Sequence, residues 1–328
     1  MTKKTKVYFR ADGGPKIGVG HVIRSLALAE MISSRFECHF IIRNVDQDLK
    51  KEIDQVCTSV IILSSDIENE AQFICVEYLT SSDIVVLDGY KFDTEYQKTI
   101  KNNVKALVCI DDILAYHFVC DALINHAGGI KPEMYSSEKY TQYYLGLKHA
   151  LLRKEFRNSS MHERIYQKEN SVFICLGGAD PNNNTMNVLE IVKNQFNVEK
   201  YYVVVGFSNS SKEEIIKYID DTGLKAEILI NLSPQEMVFY MSKCKTAITS
   251  PSTISYEFIS NGGLLYLYLI ADNQKNNMAY FLEAGIAFRL EDYPISESEQ
   301  KASIQRQSKL IDSNIKNRYL ELFKSLEK

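Results

Sequence analysis

Short apolar runs alternate with segments of helical spacing along most of this 328-residue chain. Short runs that are apolar throughout are typical of strands buried on both faces of a parallel sheet. In the first half of the chain they lie at residues 7–9, 38–42, 60–63, 84–87, 106–110 and 122–124. The helical segments between most of them complete the β-α-β units that such a sheet requires.

A polar segment at residues 128–171 interrupts this alternation, and it contains paired glycines, a proline and a charged run. The pattern then restarts, with predicted strands at 172–176, 201–205, 226–230, 246–249 and 264–269. Predicted helices lie at 183–194, 211–220, 234–241, 253–260 and 273–284, followed by an amphipathic helical tail at 296–328. We therefore predict an N-terminal domain of residues 1–160 and a C-terminal domain of residues 161–328 that includes the tail.

The fold class predicted from this order is α/β, with two doubly wound, Rossmann-like domains. In such sheets ligands bind outside the carboxyl ends of the strands, where the strand order reverses. We expect the two domains to face each other across a cleft that holds the ligand.

Composition and charge exclude several classes of protein. The net charge of -4, without a long basic block, disfavours a nucleic-acid binder. No run resembles a transmembrane helix or a signal peptide, so we expect a cytoplasmic protein without stable membrane association. We also expect a monomer. The seven cysteines are scattered, without a Cys-x-x-Cys pair, which predicts buried reduced thiols and disfavours a zinc site.

The first predicted strand leads into a glycine-rich loop within residues 10–24. Gly18 and Gly20 form part of a dinucleotide-binding fingerprint, but Ile23 stands at its third glycine position. The acidic residue expected after the second strand is also missing, so NAD binding is disfavoured. Glycines at this turn still allow a ligand to approach the backbone and the amides at the helix start.

His21 lies in the first turn of the helix that follows this loop. The positive end of the helix dipole disfavours the protonated imidazole, so His21 is a candidate base toward water or a hydroxyl. The alternative is that His21 only caps the helix or packs on the sheet. Nearby charged residues either orient His21 or a ligand, or pair with one another. We assign Asp12 to the catalytic group, and Arg10, Gly18, Gly20 and Arg24 to substrate binding.

Two more predicted strands end in polar residues at the same edge of the sheet. Asp88 and Tyr90 follow the run at 84–87, where Tyr90 is a candidate hydrogen-bond partner of the substrate or of a catalytic water. The alternative is an ordinary turn at the end of a strand. Asp111 and Asp112 follow the run at 106–110, where paired acids suit metal binding or acid–base chemistry but more commonly serve turns and helix caps.

In the second half, Gly177, Gly178 and Asp180 stand between a predicted strand and a predicted helix. Two glycines at this position allow a phosphate or a sugar to approach the backbone. A plain tight turn is the alternative.

A second helix start in this half is more specific. Ser250 is the predicted N-cap and Pro251 the first helical residue. The hydroxyls of Ser252 and Thr253 and the free amides of the helix start then form a candidate diphosphate site. Glu257 lies one to two turns along the same helix, where its carboxylate either binds both ribose hydroxyls or lies on a solvent-exposed face.

These residues and a few others occur in a characteristic order along the chain. The full set is Arg10, Asp12, Ile17, Gly18, Gly20, His21, Arg24, Asp88, Tyr90, Asp111, Asp112, Asn125, Leu151, Leu152, Arg153, Glu155, Phe156, Gly177, Gly178, Asp180, Ser250, Ser252, Glu257, Asn273 and Gln274. In this order they resemble the PseG-type UDP-sugar hydrolases of pseudaminic acid biosynthesis, which have the two-domain GT-B architecture and are similar to the transferase MurG. The resemblance extends from Val7 to about Ala287, and its most specific phrase lies within residues 10–24.

The resemblance implies hydrolysis of UDP-2,4-diacetamido-2,4,6-trideoxy-β-L-altropyranose to UDP and the free sugar. Water would attack the anomeric carbon with inversion, activated by His21 and with Tyr90 near the reacting sugar. The second domain would bind UDP, with contacts from Gly178, Ser250, Ser252 and Glu257. We also assign the remaining polar and glycine residues of these motifs to substrate binding: Asp88, Asn125, Gly177, Asp180, Thr253, Asn273 and Gln274. The implied small-molecule partners are the UDP-sugar and UDP. No metal and no other cofactor is implied, since amides at helix starts can stabilise the leaving group.

Two other function classes stay open. A GT-B glycosyltransferase would use the same UDP site with an acceptor hydroxyl in place of water. A nucleotide-sugar binding protein without catalytic activity would bind UDP and release none from a sugar nucleotide. The histidine loop, together with Asp88 and Tyr90, favours the hydrolase.

Overall fold

The structure is a computed structural model that describes residues 4–13, 18–157, 168–177, 180, 182–206, 209–311 and 314–328. The chain divides into two compact units. The first contains Met1–Lys154 and Asn314–Lys328, and the second contains Glu155–Ser313. The division falls slightly before the predicted boundary at residue 160, and the end of the chain returns to the first unit. Within the described part of the chain, no helix is both long and apolar enough to span a membrane.

The first unit begins with a series of alternating strands and helices. Its strands are β1 (Lys6–Ala11), β2 (Glu37–Ile42), β3 (Ser59–Ile62), β4 (Ile84–Asp88), β5 (Ala106–Ile110), β6 (His117–Phe118), β7 (Ala122–Asn125), β8 (Ser136–Ser137) and β9 (Gln142–Leu145). Its helices are α1 (Gly20–Ile32), α2 (Gln47–Val56), α3 (Glu70–Glu77) and α4 (Thr94–Lys101), with short 3-10 helices at Pro132–Met134 and Leu147–His149. A 3-10 turn at Lys154–Phe156 crosses the boundary between the units.

The main sheet of the first unit is parallel, with the strand order β3-β2-β1-β4-β5-β7-β9. Its central strands are buried on both faces, and one face packs on α3 and α4, where Ile74 and Ile100 join Val85 and Leu107 in the core. Strand β9 was not predicted, because this half-buried edge strand has no apolar run and lies in the polar segment. The crossovers from β1 and β4 leave toward opposite edges, so the residues after these two strands flank the point where strand order reverses.

The second unit repeats this architecture. Its strands are β10 (Glu169–Cys175), β11 (Lys200–Val205), β12 (Ala226–Ile230), β13 (Cys244–Thr249), β14 (Leu264–Leu267) and β15 (Phe288–Arg289). Its helices are α5 (Asn184–Gln195), α6 (Lys212–Thr222), α7 (Pro234–Lys243), α8 (Thr253–Asn261), α9 (Lys275–Glu283) and α10 (Glu297–Gln307), with 3-10 helices at Asp272–Gln274 and Leu290–Asp292. The parallel sheet has the order β12-β11-β10-β13-β14-β15, so strand order reverses between β10 and β13.

The predicted fold class, two Rossmann-like α/β domains, is confirmed by these two parallel sheets. Each predicted strand is present, with ends that shift by a few residues at most. All seven cysteines are free and buried, as predicted.

The last helix, α11 (Ile315–Leu326), packs on the first unit, so the prediction that the whole tail belongs to the C-terminal domain was wrong. Its apolar face includes Phe323, whose ring centroid lies 5.7 Å from that of Phe36 after α1. The hydroxyl of Tyr319 donates to the main-chain oxygen of His149 at 2.6 Å. These buried contacts explain the assignment of the helix, because burial of an amphipathic face is what stabilises a helix of this length.

The burial of Phe323 predicts how much α11 contributes to the stability of the first unit. Phe323→Ala removes a fully buried ring, so the free energy of unfolding of the first unit is expected to fall by about 3–5 kcal/mol. Urea unfolding followed by circular dichroism measures this change. The matched control is Glu321→Ala on the exposed face of the same helix, where a surface ion pair contributes little. Equal stability of Phe323→Ala and Glu321→Ala would show that α11 does not stabilise the unit.

Candidate functional site

The glycine loop of the first unit connects β1 to the start of α1 at the reversal point of the sheet. Gly18 has a φ angle of +74°, a left-handed conformation that glycine adopts without strain. Helix α1 begins at Gly20, and neither a side-chain cap nor an acidic residue occupies its first turn. The first-turn amides of α1 are therefore not capped by a side chain of the helix itself, and such amides suit an anionic ligand group.

His21 is the second residue of α1 and is only 6 % exposed. Its Nδ1 atom lies 2.7 Å from Oδ1 of Asp88, the last residue of β4. The same Nδ1 atom lies 3.0 Å from Nη2 of Arg24, a donor. Because the carboxylate of Asp88 is closer and can only accept, we assign the imidazole hydrogen to Nδ1. This leaves Nε2 as the basic nitrogen, the tautomer that a general base requires.

Asp88 is completely buried and receives further hydrogen bonds from α1. Arg24 donates to Oδ2 from Nε at 2.8 Å and to Oδ1 from Nη2 at 2.6 Å, and the hydroxyl of Ser25 donates to Oδ2 at 3.1 Å. Burial by itself raises the pKa of Asp88, but the charge of Arg24 and the interaction with His21 outweigh it and lower the pKa to about 2. Asp88 and Arg24 were predicted to bind substrate. Their buried mutual contacts suit them to position His21, and their contact with substrate stays a prediction.

Tyr90 lies beside this histidine at the same edge of the sheet. The rings of His21 and Tyr90 meet edge to face, with centroids 4.6 Å apart and planes at 85°. Tyr90 is 37 % exposed, and its hydroxyl donates to Oδ2 of Asp112 at 3.4 Å. The structure thus brings together two residues of the predicted catalytic group, His21 and Tyr90.

Asp12, the third predicted catalytic residue, takes part in a different cluster. Its carboxylate accepts two hydrogen bonds from Arg10, at 2.6 and 2.8 Å, and one from the main-chain amide of Arg43 at 3.0 Å. Glu70 bridges the guanidinium groups of Arg10 and Arg43. The described contacts therefore place Arg10 and Asp12 in an ion-pair network at the base of the glycine loop, and Asp88 is the acid that meets His21.

Asp111 and Asn125 serve the local backbone and a shared tyrosine. Asp111 accepts hydrogen bonds from the amides of Ile113 and Leu114, as an acid in a turn does. The hydroxyl of Tyr135 donates to Asp111 at 3.0 Å and accepts from Asn125 at 2.8 Å. Asn125, predicted to bind substrate, is 1 % exposed, so its amide braces the end of β7. The described residues also contain no group of three His, Cys, Asp or Glu side chains suited to a metal ion.

His126 is a second buried histidine near this edge. Burial and the nearby charge of Arg24 lower the pKa of His126 to about 4. Its Nδ1 atom accepts a hydrogen bond from the amide of Leu151 at 3.3 Å. A histidine with so low a pKa is a weak proton acceptor at neutral pH, which leaves His21 as the candidate base.

In the second unit, two predicted site residues follow β10. Gly177 has a φ angle of +116°, so its conformation strongly favours glycine. Asp180 accepts hydrogen bonds from the amides of Asn184 and Thr185 at 2.8 and 2.7 Å. The buried carboxylate of Asp180 therefore satisfies two amides at the start of α5, and its contact with substrate stays a prediction. Gly178 lies outside the described residues.

Helix α8 starts at Thr253, as predicted, but its N-cap differs from the predicted Ser250. The N-cap is Ser252 and the first helical residue is Thr253, because Ser250 and Pro251 form a turn closed by a 2.8 Å hydrogen bond from the amide of Ser252 to the oxygen of Ser250. The two serine hydroxyls lie 2.9 Å apart. No side chain caps the helix, so the first-turn amides together with two adjacent hydroxyls suit a phosphate group.

A buried network braces this turn. The hydroxyl of Tyr256 donates to Oδ1 of Asn277 in α9, and Nδ2 of Asn277 donates to the main-chain oxygen of Pro251 at 2.9 Å. The hydroxyl of Ser255 donates to the main-chain oxygen of Ser250 at 2.7 Å. Asn277 was not predicted from the sequence, because its contact with residue 251 exists only once α8 and α9 are packed together.

The other predicted nucleotide contacts lie near the same edge of this sheet. Glu257 is one turn beyond the start of α8 and is only 2 % exposed, so its carboxylate is not on the solvent-exposed face that was the alternative. Asn273 is exposed and Gln274 half-buried in the 3-10 helix after β14, the neighbour of β13. The structure therefore places Gly177, Ser250 and Asn273 after strands that adjoin one another.

Comparison with curated proteins gives relatives at low sequence identity. The chain is 28 % identical to an uncharacterised protein of Methanocaldococcus jannaschii over 78 % of its own length, and the match spans about half of that protein, 54 %. It is 25 % identical to the UDP-2,4-diacetamido-2,4,6-trideoxy-β-L-altropyranose hydrolase of Campylobacter jejuni, over 85 % of this chain and 97 % of the relative. No protein-family model matches the chain.

Solved structures share the fold over nearly the whole chain. MurG of Acinetobacter baumannii superposes with a TM-score of 0.70 at 11 % identity, covering 98 % of this chain and 100 % of MurG. Anabaena HepE, solved with UDP and glucose, gives a TM-score of 0.55 at 14 % identity, with 98 % and 100 % coverage. The chain thus resembles the PseG-type hydrolase in sequence and has the GT-B fold of MurG, as predicted.

Proposed function

We propose that this protein is an enzyme that hydrolyses a UDP-sugar to UDP and the free sugar. The main support is the buried contact between His21 and Asp88, which leaves Nε2 of His21 as a base at the carboxyl edge of the sheet. Similarity to the Campylobacter hydrolase over 85 % of the chain supports the processing of a UDP-sugar. The name of that relative also supports a 2,4-diacetamido-2,4,6-trideoxy sugar as the finer assignment. Pseudaminic acid biosynthesis is the proposed context, which only the sequence resemblance implies.

In the proposed reaction, Nε2 of His21 accepts one proton of a water molecule as its oxygen attacks the anomeric carbon. The bond between that carbon and the phosphate oxygen breaks, and its electron pair leaves with UDP. The resulting imidazolium is stabilised by the carboxylate of Asp88, which stays ionised and accepts a hydrogen bond from Nδ1 throughout the reaction. His21 then releases the proton to solvent. Attack from the face opposite the leaving group inverts the configuration.

The second unit supplies the proposed UDP site. The uncapped first-turn amides of α8 and the hydroxyls of Ser250, Ser252 and Thr253 are donors for the diphosphate. Negative charge grows on the phosphate oxygen as the bond to the sugar breaks, so these donors also stabilise the leaving group. Glu257 is the proposed ligand of the ribose hydroxyls, and Gly177, Asn273 and Gln274 are proposed to line the nucleotide.

The hydrolase proposal is tested with purified protein and a panel of UDP-sugars, in which UDP release is measured without any added acceptor. We expect release of UDP from a diacetamido-trideoxy sugar nucleotide, and proton NMR is expected to show the inverted anomer first. UDP release that occurs only after an acceptor is added would instead identify a glycosyltransferase, the alternative function. UDP binding without any release would identify a binding protein.

The contact of Asn277 with the turn at Ser250 and Pro251 gives a separate prediction for UDP binding. Asn277→Ala frees the main-chain oxygen of Pro251, so the dissociation constant for UDP is expected to rise about fivefold, the equivalent of one lost hydrogen bond. Isothermal titration calorimetry measures it. The control is Asn276→Ala, the exposed neighbour on the same helix, for which no change is expected. If Asn277→Ala binds UDP with wild-type affinity, the turn at Ser250 and Pro251 does not contribute to the UDP site.

A further inference from the structure

The carboxylate of Asp112 lies between two groups of the candidate site. Its Oδ2 atom accepts a hydrogen bond from Nη1 of Arg24 at 2.9 Å and one from the hydroxyl of Tyr90 at 3.4 Å. Its Oδ1 atom is buried and has no hydrogen-bond partner among the described residues. A buried carboxylate oxygen without a donor is unusual and calls for an explanation.

One guanidinium connects this carboxylate to the base. Arg24 donates to Asp88, which holds His21, and to Asp112, which meets the hydroxyl of Tyr90. His21 and Tyr90 touch edge to face at a centroid distance of 4.6 Å. The two carboxylates therefore act on two adjacent side chains of the site, and Arg24 holds both carboxylates in place.

From this geometry, and resting on the proposed function, we propose that Asp112 is a positioning residue that fixes the direction of the Tyr90 hydroxyl hydrogen. An acceptor-only carboxylate forces Tyr90 to act as the donor in their contact. The lone pairs of the Tyr90 oxygen then point away from Asp112 and accept a hydrogen bond from the attacking water. The 3.4 Å contact shortens when substrate binds, as hydrogen bonds at catalytic sites often do, and the unpartnered Oδ1 is a second acceptor on the same carboxylate.

Each hydrogen of the attacking water molecule then has its own acceptor. One is transferred to Nε2 of His21, and the other is held by the oxygen of Tyr90. A lone pair of the water then faces the anomeric carbon. If the Tyr90 hydroxyl were free to rotate, it would spend part of its time donating to the water, which competes with the productive orientation.

A double-mutant cycle with Tyr90→Phe and Asp112→Asn tests the proposal by the kcat for UDP release. Each single variant is expected to lower kcat about tenfold, with KM changed less than about twofold. In the Tyr90→Phe background, Asp112→Asn is expected to lower kcat by less than about twofold further, because the hydroxyl that it orients is already absent. The urea unfolding midpoint of each variant is measured alongside. If Asp112→Asn does not fold, Asp112→Ala replaces it in the same cycle.

If the two effects on kcat are additive, Asp112→Asn lowers kcat a further tenfold in the Tyr90→Phe background. This result would overturn the proposal and show that Asp112 acts through Arg24. Unchanged kcat in Asp112→Asn would overturn it too. Either result leaves the hydrolase assignment standing, since wild-type release of UDP is measured in the same assay. Absence of release by the wild type from every UDP-sugar would overturn both.

Discussion

Replacing His21 by alanine is expected to lower kcat for UDP release by about a hundredfold or more. The variant removes the proposed base, and water without a base is a poor nucleophile at neutral pH. UDP affinity should stay near the wild-type value, because the proposed nucleotide contacts belong to the second unit. Steady-state kinetics and calorimetric titration with UDP measure the two quantities separately.

The matched control for this variant is His117→Ala. His117 is a half-buried histidine of the same unit whose ring contacts Ser136 and Glu138, neither of which is a residue of the candidate site. We expect its kcat to equal that of the wild type. If His21→Ala keeps wild-type kcat while folded, His21 has only a structural role and the proposed mechanism is wrong.

Asp88→Asn is expected to lower kcat by up to about ten-thousandfold, the loss seen when the carboxylate of a catalytic triad is replaced by its amide. An amide nitrogen in place of Oδ1 donates to Nδ1 and shifts the imidazole hydrogen to Nε2, the tautomer that cannot accept a proton from water. Asp88→Ala removes the orienting group without imposing the wrong tautomer, so it is the informative comparison.

Stability must be measured with these variants, because they leave Arg24 buried beside a neutral side chain. The pKa of Asp88 is lowered from 3.8 to about 2, so its contribution to stability is present above pH 3.8 and is lost as the pH falls toward 2. We therefore expect wild type and Asp88→Asn to converge in unfolding free energy below about pH 2. Wild-type kcat in a folded Asp88→Asn variant would contradict the positioning role of Asp88.

The sequence was sufficient for the fold class and for the approximate ends of the predicted strands, but the pairing of charged residues was not predictable. His21 and Asp88 meet because β1 and β4 are neighbours, with Ala11 opposite Asp88 in the register. Local spacing instead favoured Asp12, which lies near His21 in sequence but binds Arg10 and Arg43. The partners of a buried charge depend on strand order, which hydrophobic periodicity does not determine.

In the second unit the helix starts were predicted within two residues, but the roles of single side chains were not. The serine–proline pair before α8 suggested a cap at Ser250, whereas the turn after it moves the cap to Ser252. Asp180 accepts from two amides at the start of α5, which the spacing to Asn184 and Thr185 could have indicated. The tail was misplaced because its amphipathic pattern shows an apolar face without showing which unit covers it. The cytoplasmic location and the monomeric state stay predictions from the sequence.

The central claim is attack of water on the anomeric carbon, and hydrolysis in ¹⁸O-labelled water tests it most directly. Mass spectrometry of the released UDP reports which bond has broken, since UDP does not exchange its phosphate oxygens with solvent during the assay. The account predicts acceptor-independent release of UDP that contains no ¹⁸O, because its terminal phosphate keeps the oxygen that joined it to the sugar. UDP carrying one ¹⁸O atom would show attack at phosphorus and contradict the account.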